Sequence, residues 1–212
     1  MTLISEDVDV HIRDHYQKEE ETLRQLLKLE ELFREHLALT KREMVSQKDI
    51  VNRLWVLSQR YVILISTNGC CKHPEVYSGP TEDILLREYS DKLRQLRSSN
   101  CCISDFLKKL RQECIVFNSL HKLLDLTMET PLILGDTFHR PLAFFIELVD
   151  DLFKYMHALS LKLKYLSHQL DPLDLLVLEE YKASLEPSED FEEHLLTGLS
   201  YCKFLRPKPT CQ

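Results

Sequence analysis

His11 and His15 stand four residues apart, the spacing that sets two imidazoles on one face of a helix where a zinc ion can join them. The pattern lacks the glutamate of H-E-x-x-H and brings no third ligand, so both histidines are expected on exposed helix surface near the terminus. Cys70, Cys71 and His73 offer three donors within four residues. A structural zinc needs a second close pair, and the other close pair, Cys101-Cys102, adjoins the core-spaced Ile103. These thiols are expected to be buried or half-buried rather than metal-bound. Asn100 and His121 are the polar members of an otherwise apolar stripe. Two such residues can relay a proton between helices, but an Asn at a core position of a coiled coil characteristically fixes register. Asn100 is therefore assigned to register, and His121 to a core position with a hydrogen-bond partner. Glu193 and His194 are adjacent, which is not the E-x-x-H spacing of a metal site in a helix bundle. Lys108, Lys109 and Arg111 fall on an outward face and read as solvated.

No G-x-G-x-x-G, no G-x-x-x-x-G-K and no G-x-S-x-G occurs, and the chain has only four glycines with which to build such loops. No alternating strand pattern is present to carry a conventional α/β active site. The sequence thus predicts no enzyme, no catalytic residue and no cofactor; the alternative of that class is a metal-dependent enzyme with its site in the bundle core. A net charge of −7 gives no broad basic face, so direct nucleic-acid binding is not expected. The first residues lack the basic and apolar regions of a secretory signal, and no apolar stretch reaches the ~18 residues a membrane span needs. Seven cysteines, an odd number, without a signal point to a reducing compartment, cytoplasm or nucleus.

The elements that must position these residues are helices. From Leu86 to Met128 apolar residues recur at alternating spacings of 3 and 4, and eleven of the thirteen positions are apolar. That is the seam of a coiled coil. Thr81 is expected to cap this helix, with Glu82 and Asp83 in its first turn, and Glu129-Thr130-Pro131 to end it. A weaker seam runs from Leu23 to Ile65, with nine of thirteen positions apolar. Thr40 and Glu43 have capping-box spacing inside it, which leaves open whether residues 6–66 form one helix or two. A third seam, all apolar, runs from Leu142 to Leu170, and a second row (Phe144, Leu148, Tyr155) widens its face enough for two neighbours. Loops are expected over Thr67–Pro80 and Thr130–Arg140. Asp171-Pro172-Leu173-Asp174 and Ser188-Glu189-Asp190 each start a short helix. The expected fold is all-α: an elongated antiparallel bundle of long heptad-patterned helices over residues 1–170, with a short helical cap and tail over 171–212.

Phe145–Leu152, Leu161-Lys162-Leu163-Lys164-Tyr165-Leu166 and Asp171–Asp174, following Pro131-Leu132, resemble the last third of a family of helical adaptors. These are of the cyclin-dependent-kinase-interacting protein and AFG2-interacting ribosome maturation factor type. The likeness covers about 60 residues; the N-terminal helix and the Cys-Cys pairs depart from that pattern. It implies a non-catalytic subunit that docks on an AAA ATPase in ribosome maturation or genome maintenance, and it carries across no functional residue. The seams themselves predict an adaptor or scaffold whose partners are other helical subunits, with a microtubule- or kinetochore-associated coiled-coil subunit as the alternative. The third helix and the C-terminal helices hold more apolar surface than intramolecular neighbours would cover. The interface is therefore expected at Leu175, Leu176, Leu195, Leu196 and Leu199.

Overall fold

A computed structural model describes residues 3–66, 79–137 and 139–205, with side chains placed for 12–66, 81–137 and 139–205. Helix occupies 86% of the structure, against about one third in an average domain, and no strand forms among the described residues. The chain is an all-α helical bundle. Its elements are α1 (Leu3–Ile65), α2 (Gly79–His121), α3 (Pro131–Leu134), α4 (Leu142–Gln169), α5 (Leu175–Ser184), α6 (Glu189–Ser200) and a 3-10 helix, η1 (Tyr201–Leu205).

The seams explain why these helices form and what they bury. Along α2, Leu96, Ile103, Leu107, Leu110 and Phe117 are each under 5% exposed. Along α4, Leu142, Phe145, Val149, Leu152, Leu163 and Leu166 are equally buried. α1 is one helix through residue 40: Thr40 is buried within it, and the capping-box spacing is not used as a helix start. α2 begins at Gly79, so Thr81 lies inside it rather than at its cap. It ends at His121, well before Pro131, because Asp125 turns the chain: its carboxylate accepts from the Thr127 backbone N–H at 3.0 Å and from the Thr127 hydroxyl at 2.6 Å. The expected Thr130–Arg140 loop contains the single turn α3. Thr130 caps it, and Gly135 ends it at φ 75, where an added Cβ would lie 2.8 Å from the His139 carbonyl oxygen.

The chain packs as two compact units. Unit 1 takes Met1–His36, Leu107–Tyr155 and Ser188–Gln212; unit 2 takes Leu37–Phe106 and Met156–Pro187. Of the short C-terminal helices, α5 belongs to unit 2 and α6 and η1 to unit 1.

Unit 2 has a core of Met44, Val51, Leu54, Leu96, Ile103, Leu163, Leu166, Leu178 and Tyr181, among others. Its cross-links fix the helix directions. Gln47 meets Asn100, Arg53 meets Glu88 and Tyr61 meets Glu82, so α1 and α2 run antiparallel here. Asn100 reaches the Leu163 carbonyl and Arg97 the Ser167 carbonyl, so α2 and α4 do likewise.

Unit 1 is closed by different contacts. Gln25 and Lys28 both donate to the Glu113 carboxylate, at 2.8 and 2.7 Å, and hold that carboxyl below its ordinary range. The wide apolar face of α4 is covered by α6 and η1. Tyr155 stacks on Phe191 with ring centroids 3.5 Å apart, and Phe144 meets Tyr201 edge-on at 5.5 Å. Leu148 lies so close under Gly198 that an added Cβ would sit 2.5 Å from its Cδ1, which is why α6 carries a glycine there.

Candidate functional site

The most elaborate polar site lies inside unit 2, where α1, α2, α4 and α5 each supply one group. Gln47 and Asn100 occupy seam positions of α1 and α2, so helical periodicity turns both amides inward. Tyr181 is fully buried on α5, one turn beyond Leu178. Asn100 Nδ2 donates to the Tyr181 hydroxyl at 3.0 Å and to the Leu163 carbonyl at 3.3 Å. The Tyr181 hydroxyl donates to Gln47 Oε1 at 2.9 Å, and Gln47 Nε2 donates to Asn100 Oδ1 at 2.9 Å. This is a closed ring of three side chains, each donor feeding the next acceptor. Gln47 Nε2 also donates to Ser99 Oγ at 2.8 Å, and Ser99 in turn donates to Glu43 Oε2 at 2.7 Å, which leads the chain out to a half-buried carboxylate.

The ring uses every amide N–H of Asn100 and Gln47, so it is a complete network. Burial raises the Tyr181 hydroxyl well above the ordinary tyrosine range, while its hydrogen bond with Asn100 pulls the other way. The phenol is therefore neutral at any physiological pH. What the ring does chemically is specify one arrangement. Sliding any of the four helices by one residue would strand buried amide or hydroxyl groups, each costing about 1–3 kcal/mol.

Unit 1 has a second buried polar set. His15 Nε2 lies 3.2 Å from Glu19 Oε1, and the same carboxylate accepts from the Thr130 hydroxyl. His15 is 3% exposed, so it is not the surface residue its place near the terminus suggested. The cause is a continuation of the α1 stripe: His15, Glu19, Thr22 and Leu26 follow spacings of 4, 3 and 4 and all are buried. The His11 side chain, Cys70, Cys71 and His73 lie outside the described residues. Cys101 and Cys102 are exposed, against the expectation that they are buried, because the seam position is their neighbour Ile103. His121 is half-buried at the end of α2, 3.3 Å from Asn118, and burial lowers its pKa, with Lys122 adding to the shift. Lys108, Lys109 and Arg111 are exposed, as expected of a solvated face.

The five leucines expected at an interface divide. Leu176 is 77% exposed and Leu196 41% exposed, whereas Leu175 is half-buried. Leu195 and Leu199 are interior residues, 0% and 1% exposed, and present no surface to a partner. The sequence count of apolar residues did not separate the two faces of α6, where Leu195 and Leu199 point inward one turn apart and Leu196 outward. Leu161 and Tyr165 on α4 and Leu173 before α5, none of them expected at an interface from the sequence, are 53%, 63% and 56% exposed.

Among the described residues no three His, Cys, Asp or Glu side chains gather as a metal would need, and no helix is long and apolar enough to cross a membrane. No protein-family model, no curated protein and no solved structure matches the chain.

Proposed function

We propose that this chain is a non-catalytic helical adaptor, a scaffold subunit that binds other helical proteins in a cytoplasmic or nuclear complex. The observation that carries this is the set of large apolar side chains left outside a completed core: Leu176 on α5, Leu196 on α6, and Leu161 and Tyr165 on α4. The opposite faces of these helices are filled by their own units, so the outward leucines are surplus to folding. Covering one leucine contributes roughly 1.5–3 kcal/mol, enough for a few of them to dominate a helix-to-helix interface. The polar ring supports the same reading. Asn100 sets the register in which α5 is held, and so fixes where Leu176 is displayed. An AAA ATPase as the partner rests on the resemblance of the last third of the chain alone.

The test is affinity purification of the chain from cells, with partners quantified by mass spectrometry, for the native protein, Leu176→Glu and Leu196→Glu. Loss of a shared set of helical partners from either variant, at unchanged helix content, is the expected result. An unchanged partner set in both variants refutes the proposal.

A further inference from the structure

Within unit 1 the start of α4 and one face of α6 enclose an open groove of about 470 Å³, walled by Arg140, Phe144, Asp190, His194, Thr197 and Tyr201. A shallow depression of about 370 Å³ continues along the exposed face of α6 past Glu189 and Leu196, and Glu193 and Thr197 line both. From Glu189 to Tyr201 the combined trough follows α6 for roughly 18 Å, the length of three helical turns.

Its chemistry selects an occupant. α6 carries Glu189, Asp190, Glu192 and Glu193 and no lysine or arginine. Glu189, Asp190 and Glu193 form no ion pair among the described residues. An acidic helix start by itself is a solvated surface; here the acids flank an apolar strip, with Leu196 exposed on the same face. The far end is held by a fixed cation. The Arg140 guanidinium lies over the Tyr201 ring at 4.7 Å and the Phe144 ring at 5.7 Å, and donates to the Tyr201 hydroxyl at 3.2 Å. It is exposed and forms no ion pair among the described residues, although Asp190 and Glu193 line the same groove. Stacking of this kind orients an arginine before an anion arrives.

We propose that this trough docks a basic amphipathic helix of a partner protein, about three turns long and antiparallel to α6. The inference rests on the adaptor reading and specifies the partner at Leu196. The helix lays its apolar side on Leu196 and Tyr201 and its lysines or arginines against Glu189, Asp190 and Glu193. An acidic residue in its first turn meets Arg140. Helices favour acids at the N-terminus and bases toward the C-terminus, which sets the antiparallel direction, since Arg140 stands beside Tyr201 at the C-terminal end of α6.

The test uses the full chain and a synthetic 14-residue amphipathic Leu/Lys helix with glutamate in its first turn, followed by amide chemical-shift mapping and fluorescence anisotropy. A second probe has Lys and Glu exchanged. The first probe is expected to shift the amides of α6 and the start of α4. Glu189→Lys with Glu193→Lys should weaken it at least tenfold, as should the charge exchange. Arg140→Ala should weaken it several-fold, and not when the probe's glutamate is replaced by glutamine. Thermal melts of the variants should fall by no more than a few degrees, since Arg140 stacks on Tyr201 and Glu189 sits in the first turn of α6. No binding, equal binding of both probes, or shifts mapping away from α6 overturns the proposal. If partners in cells depend on Leu176 and Leu196 while the charge reversals leave probe binding unchanged, the trough assignment fails and the adaptor reading stands.

Discussion

Replacing Asn100 with leucine tests whether the ring in unit 2 is an integral network. A lone register-setting Asn weakens a seam, and its replacement by leucine stabilises the bundle while loosening pairing specificity. The geometry here demands the opposite sign. Asn100→Leu leaves the Leu163 carbonyl in its helix ladder and leaves Gln47 with Ser99 as one partner. It strands one N–H of Gln47 and removes the donor that feeds the Tyr181 oxygen. The stranded N–H and the unfed phenol oxygen, on groups that each keep one other bond, cost roughly 2–6 kcal/mol together, and the added apolar burial returns about 1–2. The expected net loss is about 3 kcal/mol. In urea denaturation followed by circular dichroism, with a slope of about 2–3 kcal/mol per molar, the midpoint should fall by about 1 M or slightly more. The same change made together with Gln47→Leu and Tyr181→Phe removes the whole ring, and most of the lost stability should return. A single Asn100→Leu variant as stable as the native chain, or more stable, refutes the reasoning, because those groups would then have to find other partners.

Three further outcomes follow from the packing. Leu195→Glu buries a carboxylate at a fully enclosed site and should cost at least 3 kcal/mol with loss of helix signal, whereas Leu196→Glu should stay within about 0.5 kcal/mol of the native chain. Gly198→Ala should be destabilising by about 1–2 kcal/mol in the same denaturation assay, since overpacking against Leu148 outweighs the ~1 kcal/mol gain in helix propensity; adding Leu148→Val should reverse the sign. Iodoacetamide at pH 8, read by peptide mass spectrometry, should modify Cys101 and Cys102 and spare Cys114, whose thiol burial raises to about 12 and so keeps protonated below that pH.

The seams of α2 and α4 were legible because their apolar residues are strong and evenly spaced, so burial followed the 3-and-4 rhythm almost residue by residue. The C-terminal end of α2 was not. Leu124 and Met128 keep the rhythm after the chain has left the helix, and the short-range signal that breaks it is the Asp125–Thr127 turn. The early part of the α1 stripe was hidden because its buried members are His15, Glu19 and Thr22, which a hydrophobic pattern scores as surface. Asn100 could be picked out as a polar residue in a seam, but its partner Tyr181 lies 81 residues away on a ten-residue helix, where no local pattern marks the hydroxyl as buried. Leu195 and Leu196 differ by one position on α6, and only the packing beneath that helix shows which of them faces inward.

The order in which the ring's members are synthesised has a consequence for the nascent chain. Gln47 and Asn100 leave the ribosome long before Tyr181, and at about 5–20 residues per second roughly 80 residues correspond to some 4–16 s. Throughout that interval two amides on apolar seams lack the hydroxyl that closes their circuit, and the surface that α5 will cover stays open. Unit 2 cannot reach its final packing until its last segment emerges, and unit 1 waits longer still, for α6 and η1. The half-made bundle therefore exposes apolar seams until its last segments emerge, and a stop codon between residues 106 and 175 would leave a chain with neither unit complete.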